Sequence, residues 1–234
     1  MKKYGLKAIV PLSLFLFSCA STSSFSRWYD SWIDINKFPN VITLREGEEP
    51  RIIRSSNIDN DFYEIRSNHY TCIGDTGFNG PDQDITNDIK RQCRQNGATI
   101  ALYSVEYTDT RYGSSYYKGS GGTYSIRRYD YQVYYFVPLV YTFELVFGID
   151  GNDLSNRLRQ EIGRNTGVYV NVVYKDTPAF HANILRGDVI IRINEHTINN
   201  YNDFLDIYNI FYTSKEVEVE YVRRGRTNIV KIRL

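Results

Sequence analysis

Phe147-Gly148-Ile149-Asp150, then Gly167-Val168-Tyr169-Val170, then Thr177-Pro178-Ala179, then Leu185-Arg186-Gly187-Asp188-Val189-Ile190-Ile191-Arg192-Ile193-Asn194 succeed one another toward the end of this 234-residue chain. Each fragment alone says little, because a Gly-Asp turn ahead of a Val/Ile run opens many strands. Their order says more. Between the first two, Leu154, Leu158 and Ile162 recur every four residues, the stripe of a short helix that Asn152 or Asp153 is placed to cap and Gly163 to end. After the long Val/Ile run come a polar turn, a second helical segment from Asn202 to Tyr212, and a closing strand pair around Arg223-Arg224-Gly225-Arg226.

The ordered set resembles a PDZ domain of the circularly permuted bacterial type found after the protease domain in periplasmic HtrA-like proteins. The resemblance covers residues 146–234 and no other part of the chain. It implies a β-sandwich or barrel with two helices that binds peptides. In such domains a loop ending in a Gly-apolar pair turns its backbone N–H groups toward a terminal carboxylate. Phe147-Gly148-Ile149 occupies that place and is similar to the family's Tyr-Ile-Gly-Ile loops. Gly148 is expected to let the ligand approach with no Cβ in the way. The ligand would add as a strand beside Ile149, Asp150 and Asn152, with main-chain hydrogen bonds giving affinity and side-chain pockets giving selectivity. The second helix would form the other wall. Phe204 and Tyr208 lie four apart and are expected to face the core, while the row through Leu205 lines the groove. Phe147, Gly148, Ile149, Asp150, Leu205 and Tyr208 are therefore the expected peptide-binding residues. The expected partners are C-terminal or extended segments of periplasmic or membrane proteins, with an apolar side chain at the end.

Composition agrees with a folded, non-nucleic-acid-binding protein. Lys plus Arg number 28 against 27 Asp plus Glu, so no overall field draws in a polyanion. The 21 tyrosines are an excess that suits strands with one wet face, where the ring packs and the hydroxyl reaches water.

The chain begins as a targeting segment. Lys2, Lys3 and Lys7 precede an apolar run from Ala8 to Phe17 that is too short for a permanent span. It ends Leu16-Phe17-Ser18-Cys19, which looks like a bacterial lipobox. Residues 1–18 are then a lipoprotein signal peptide and residues 19–29 a tether that starts at a diacylated Cys19, since more than one acyl chain is needed for firm anchoring. Ala20 is not the aspartate of an inner-membrane retention signal, so the expected location is the outer membrane. Trp28, Tyr29 and Trp32 follow, either packed on the domain or resting at the membrane interface.

Residues 30–145 are expected to form an α+β domain of unknown role, making the whole chain α+β. Glu46 to Pro50 reads as a turn, Arg51 to Arg54 as a strand, and Phe62 to Ile73 as another, ended by the glycine-rich Gly74 to Pro81. Ile85, Ile89 and Cys93 mark a helix that Gly97 stops, followed by a strand from Ala98, which suggests a βαβ unit. Arg111 to Tyr124, rich in Gly, Ser and Tyr, reads as a loop, and Tyr129 to Phe147 as the longest β-type run. That run feeds Gly148 directly, so the two domains are expected to be close neighbours.

Cys72 and Cys93 remain after Cys19 is set aside. They are either a disulfide closing a loop of about 20 residues, worth roughly 3 kcal/mol, or two free buried thiols. No cofactor is called for, and Glu195-His196 lacks the further ligands a metal site needs. A serine protease is disfavoured by the short length of chain available for a double barrel and by His69 being the one histidine upstream of the PDZ-like region. Asp75-Thr76-Gly77 spells the motif of retropepsin-like aspartic proteases, but no second copy supplies the partner carboxylate, and a turn explains it. The expected function is a non-enzymatic, peptide-binding scaffold or adaptor of the envelope. A protease using Asp75, or a structural envelope protein with an inactive groove, are the alternatives.

Overall fold

The computed structural model describes residues 25–37, 40–117, 120–140, 147–211 and 214–234. The signal segment, Cys19 and most of the tether lie outside the described residues. Among the described residues no helix is long and apolar enough to cross a membrane.

The N-terminal part is built on β1 (Tyr29–Ser31), β2 (Arg51–Arg54), α1 (Ile58–Ser67), β3 (Tyr70–Pro81), α2 (Thr86–Asn96), β4 (Ile100–Tyr117) and β5 (Ser120–Pro138). The strands make one mixed sheet in the order β1-β3-β5-β4-β2, with β2 parallel to β4 and the other pairs antiparallel. Strand β3 and strand β4, joined by α2, both run against β5. The expected βαβ unit is thus present with a third strand inserted between its two.

Local chemistry explains where the sequence reading gave way. Phe62 to Ser67 is helix and not strand: Asn57 accepts a hydrogen bond from the Asn60 N–H (3.3 Å), Asp59 and Asp61 sit in the first turn, and Ile58, Phe62 and Ile65 form a helical stripe against the sheet. His69, at φ 65°, turns the chain into β3. The glycines from Gly74 to Gly80 do not end that strand. Gly74 is where β1 presses against it, since a Cβ there would stand 2.4 Å from the Asp30 carbonyl and 2.7 Å from the Tyr29 hydroxyl. Arg111 to Tyr124 is likewise no loop. Most of it is paired in register, Arg111 with Ile126 and Gly113 with Tyr124, as a hairpin reaching past the last β3 partner.

Alternation along β3, β4 and β5 creates two cores. On one face α2 covers Ile73, Ala101, Val133, Tyr135 and Val137; on the other α1 covers Cys72, Ile100, Leu102 and Phe136. Cys93 belongs to the first face and Cys72 to the second, so the sheet stands between them and the disulfide does not form. Both are free thiols, and burial pushes each up to about 12. Several tyrosines also depart from the half-wet expectation. Tyr135 is fully buried with its hydroxyl 3.2 Å from Thr76 Oγ1, while Tyr131 donates to the Pro81 carbonyl (2.7 Å) and accepts from the Gln83 N–H (3.1 Å). Their hydroxyls are satisfied inside the protein.

The C-terminal part contains β6 (Ile149–Asp153), α3 (Asn156–Ile162), β7 (Val168–Val173), the single-turn α4 (Pro178–His181), β8 (Val189–Ile193), β9 (His196–Thr197), α5 (Tyr201–Phe211), β10 (Glu216–Arg223) and β11 (Arg226–Arg233). Its sheet is antiparallel, ordered β11-β10-β8-β7-β6, with β9 beside β8. The core gathers Phe147, Ile149, Val170, Ile190, Ile193, Phe204, Val219 and Ile232. Helix α3 is capped by Ser155, which accepts from the Leu158 N–H (3.3 Å), and not by Asn152 or Asp153, which belong to β6. Asp188, 1 % exposed, receives Arg223 at both carboxylate oxygens (2.6 Å each) and the Leu185 N–H (2.8 Å). The Arg186-Gly187-Asp188 turn is therefore a clamp between β8 and β10.

Candidate peptide-binding site

β6 ends the sheet, so one of its edges has no strand beside it among the described residues. Which groups face that edge follows from the ladder. Tyr174 donates its N–H to the Gly148 carbonyl (2.9 Å), and the register pairs Ile149 with Val173 and Asp150 with Val172. Inward- and outward-directed residues alternate in an antiparallel pair. Gly148 and Asp150 thus direct their backbone groups to β7, and Ile149 directs its N–H and C=O to the open edge. Helix α5 packs beside the same strand. The Tyr201 N–H at its first turn donates to Asp153 Oδ1 (2.6 Å), which fixes the spacing of the two walls.

The floor is apolar. Phe147 is 2 % exposed and meets Phe204 edge to face, with centroids 5.7 Å apart and planes at 73°. Leu205 is half-buried against the same core, on one helical row with Tyr201. Tyr208 continues that row in α5, though its side chain lies outside the described residues. Tyr201 and Asp153 were not expected from the sequence; the i, i+4 spacing of Tyr201 to Leu205 was the available signal for the first.

Two expected site residues act differently. Gly148 has φ 103°, and a Cβ on it would lie 1.9 Å from Thr177 Oγ1 and 2.3 Å from Thr177 Cβ. Glycine is therefore required there by the fold itself, before any ligand arrives. Asp150 turns its side chain to the sheet face opposite Ile149 and pairs with Arg66 of α1.

That pair belongs to a seam between the two parts. The Lys175 N–H donates to the Ser67 carbonyl (2.9 Å), His69 Nε2 donates to the Lys175 carbonyl (2.7 Å), Lys175 Nζ meets Glu64 (2.9 Å), and the Arg186 guanidinium lies 5.1 Å from the Tyr63 ring centre. The two domains are close neighbours, as the short connection led one to expect.

Asp75 lies within β3 and not in a turn. Trp32 Nε1 donates to one of its oxygens (2.9 Å) and Gln132 Nε2 to the other (2.8 Å), while Asp30 stands opposite it across the β1–β3 ladder. Among the described residues no group of three or more His, Cys, Asp or Glu side chains is placed to hold a metal ion.

Comparison with known proteins bears on the C-terminal part. Residues 146–234 match the family model for the PDZ domain. Similar solved structures include the HtrA3 PDZ domain bound to a phage-derived ligand (FGRWV), at 21 % identity, covering 37 % of this chain and 81 % of that one, with a TM-score of 0.33. They also include the HtrA-type protease AlgW with a decapeptide, at 18 % identity over 50 % of this chain and 38 % of that one, TM-score 0.32. AlgW with a tripeptide gives 19 % identity over 50 % and 41 %, TM-score 0.32, so this chain spans about two fifths of that protease's length. No curated protein matches the chain. Residues 146–234, which match the PDZ family model and present an open strand edge beside an apolar helix row, are a PDZ domain, the kind of module that binds peptides.

Proposed function

We propose that this protein captures extended peptide segments or protein C-termini in the groove between β6 and α5, as a lipid-anchored scaffold or adaptor of the bacterial outer membrane. The observation that carries the reading is the outward-facing N–H and C=O of Ile149 beside the apolar row through Tyr201 and Leu205. A ligand strand would take its main-chain hydrogen bonds from that edge and seat an apolar end against Leu205, over the core that holds Phe147 and Phe204. The lipobox-like Leu16-Phe17-Ser18-Cys19 supports the anchor, which would hold captured proteins at the envelope.

The test is a titration of the protein against a library of short peptides, each offered as free acid and as amide. Selective binding of acids, weakened by Leu205→Asp, supports capture of C-termini. Equal binding of acids and amides means recognition of internal strands. Absence of binding throughout favours a structural envelope protein with an inactive groove. The anchor is tested separately: Cys19→Ser is expected to abolish palmitate labelling and release the protein from membranes. The reading includes no catalytic step, so Asp75→Asn should leave peptide capture unchanged; peptide hydrolysis that disappears with that substitution would favour the aspartic-protease alternative.

A further inference from the structure

Helix α1 belongs to the N-terminal sheet, yet its last turn reaches the strand that would receive the peptide. Arg66 pairs with Asp150, the residue that follows Ile149 on β6. The Asp150 side chain is 23 % exposed and that of Arg66 19 %, so neither charge has much water to fall back on. Removing one partner of such a pair leaves the other charge largely desolvated and forces the segment carrying it to move. Here the segment is β6 at the point where its backbone groups meet the groove. A second hold lies one strand away, where Ser67 and His69 grip both backbone groups of Lys175, just beyond β7. The edge strand and its neighbour are thus fixed from behind by the last turn of α1 and the His69 turn that follows it.

We propose that Arg66 is a positioning residue for peptide capture, and that the N-terminal domain sets the affinity of the groove by holding β6 through Asp150. This rests on the peptide-binding reading above. Arg66 does not touch the groove and acts only through the strand. Coupling of this kind is reciprocal: if the seam favours the binding-competent strand, bound peptide must favour the seam.

The experiment uses the full chain and a free-acid peptide selected from the library. Arg66→Met is expected to weaken binding about tenfold, and Arg66→Lys to recover most of that loss. In an Asp150→Asn background, Arg66→Met should change affinity less than twofold, because the charge it served is gone. Saturating peptide should slow hydrogen exchange at the α1 end, residues 64–68, in the wild type and not in the Asp150→Asn protein. A folded Arg66→Met protein that binds as the wild type does, or exchange at 64–68 that ignores the peptide, overturns the inference and leaves peptide capture standing. A wild type that binds no peptide removes the capture reading, and this inference with it.

Discussion

Glycine does two kinds of work in this molecule, turning the chain and making room, and each part leans on one of them, with Gly47 and Gly97 in the N-terminal part and Gly151 in the C-terminal part as exceptions. In the C-terminal domain Gly148, Gly163, Gly167, Gly187 and Gly225 all have positive φ, between 65° and 124°, and each turns the chain between elements. In the N-terminal sheet Gly74, Gly77, Gly80 and Gly113 lie inside strands without positive φ. What they supply is room. Tyr29 and the β1 backbone press on Gly74, and the Tyr124 ring covers Gly113 at 2.5 Å from where a Cβ would stand. At Gly74 and Gly113 a tyrosine and a strand glycine are thus two halves of one packing solution, in which the tyrosine side chain lies over a position that has none. One domain therefore shows its turns in its sequence while the other hides its strands.

Alanine substitutions separate the two uses, starting with the largest effect. Gly148→Ala meets both penalties, a left-handed backbone and a Cβ driven into Thr177, and should destabilise the C-terminal domain by about 3 kcal/mol or more, read as a lowered denaturation midpoint. Loss of peptide binding in that variant would accordingly report unfolding and not a lost ligand contact. Gly74→Ala meets crowding alone and should cost about 2 kcal/mol, with β1 displaced from β3. A small effect there would break the account of strand glycines as spacers.

Alkaline pH distinguishes the domains in another way. The groups that burial pushes up most, Cys72 and Cys93 to about 12 and the Tyr135 hydroxyl likewise upward, are all in the N-terminal core. An unfolded thiol gives up its proton near 9 and a folded one near 12, so unfolding releases protons across that window and stability falls as pH rises through it. Each thiol contributes about 1.4 kcal/mol per pH unit. The N-terminal core should therefore melt first above pH 9, monitored by tyrosine circular dichroism, and its thiols should resist a disulfide reagent at pH 8 until the protein is unfolded. Gly225→Ala gives the smallest effect. Nothing lies within 4 Å of its would-be Cβ, and φ 73° alone should cost about 1 kcal/mol.

Legibility in the sequence followed the range of each interaction. Helix α2 was readable because Ile85, Ile89 and Cys93 and the stop at Gly97 are all local signals. The C-terminal elements were readable for the same reason. Strand β3 and the long hairpin were not, because Gly74-Asp75-Thr76-Gly77 and the Gly/Ser/Tyr run have loop composition, and only the partners β1, β5 and Tyr124 make them strand. At the candidate site, Ile149 opens β6 and Leu205 lies on α5, both within elements that local sequence signals mark. Arg66 lies 84 residues from Asp150, and Arg223 lies 35 from Asp188; no spacing rule relates them. The basic run Arg223-Arg224-Gly225-Arg226 thus supplies one arm of the clamp on the buried Asp188.

Peptide capture as proposed requires the ligand to join the sheet at the open edge of β6. The most direct measurement is amide hydrogen exchange by NMR at Ile149 and Asp150, with and without saturating free-acid peptide. Ile149, whose N–H faces the edge, should exchange readily in the free protein and become strongly protected in the complex, while Asp150, already bonded into the β6–β7 ladder, should be protected in both. A bound peptide that leaves the Ile149 amide exchanging as before would contradict the account.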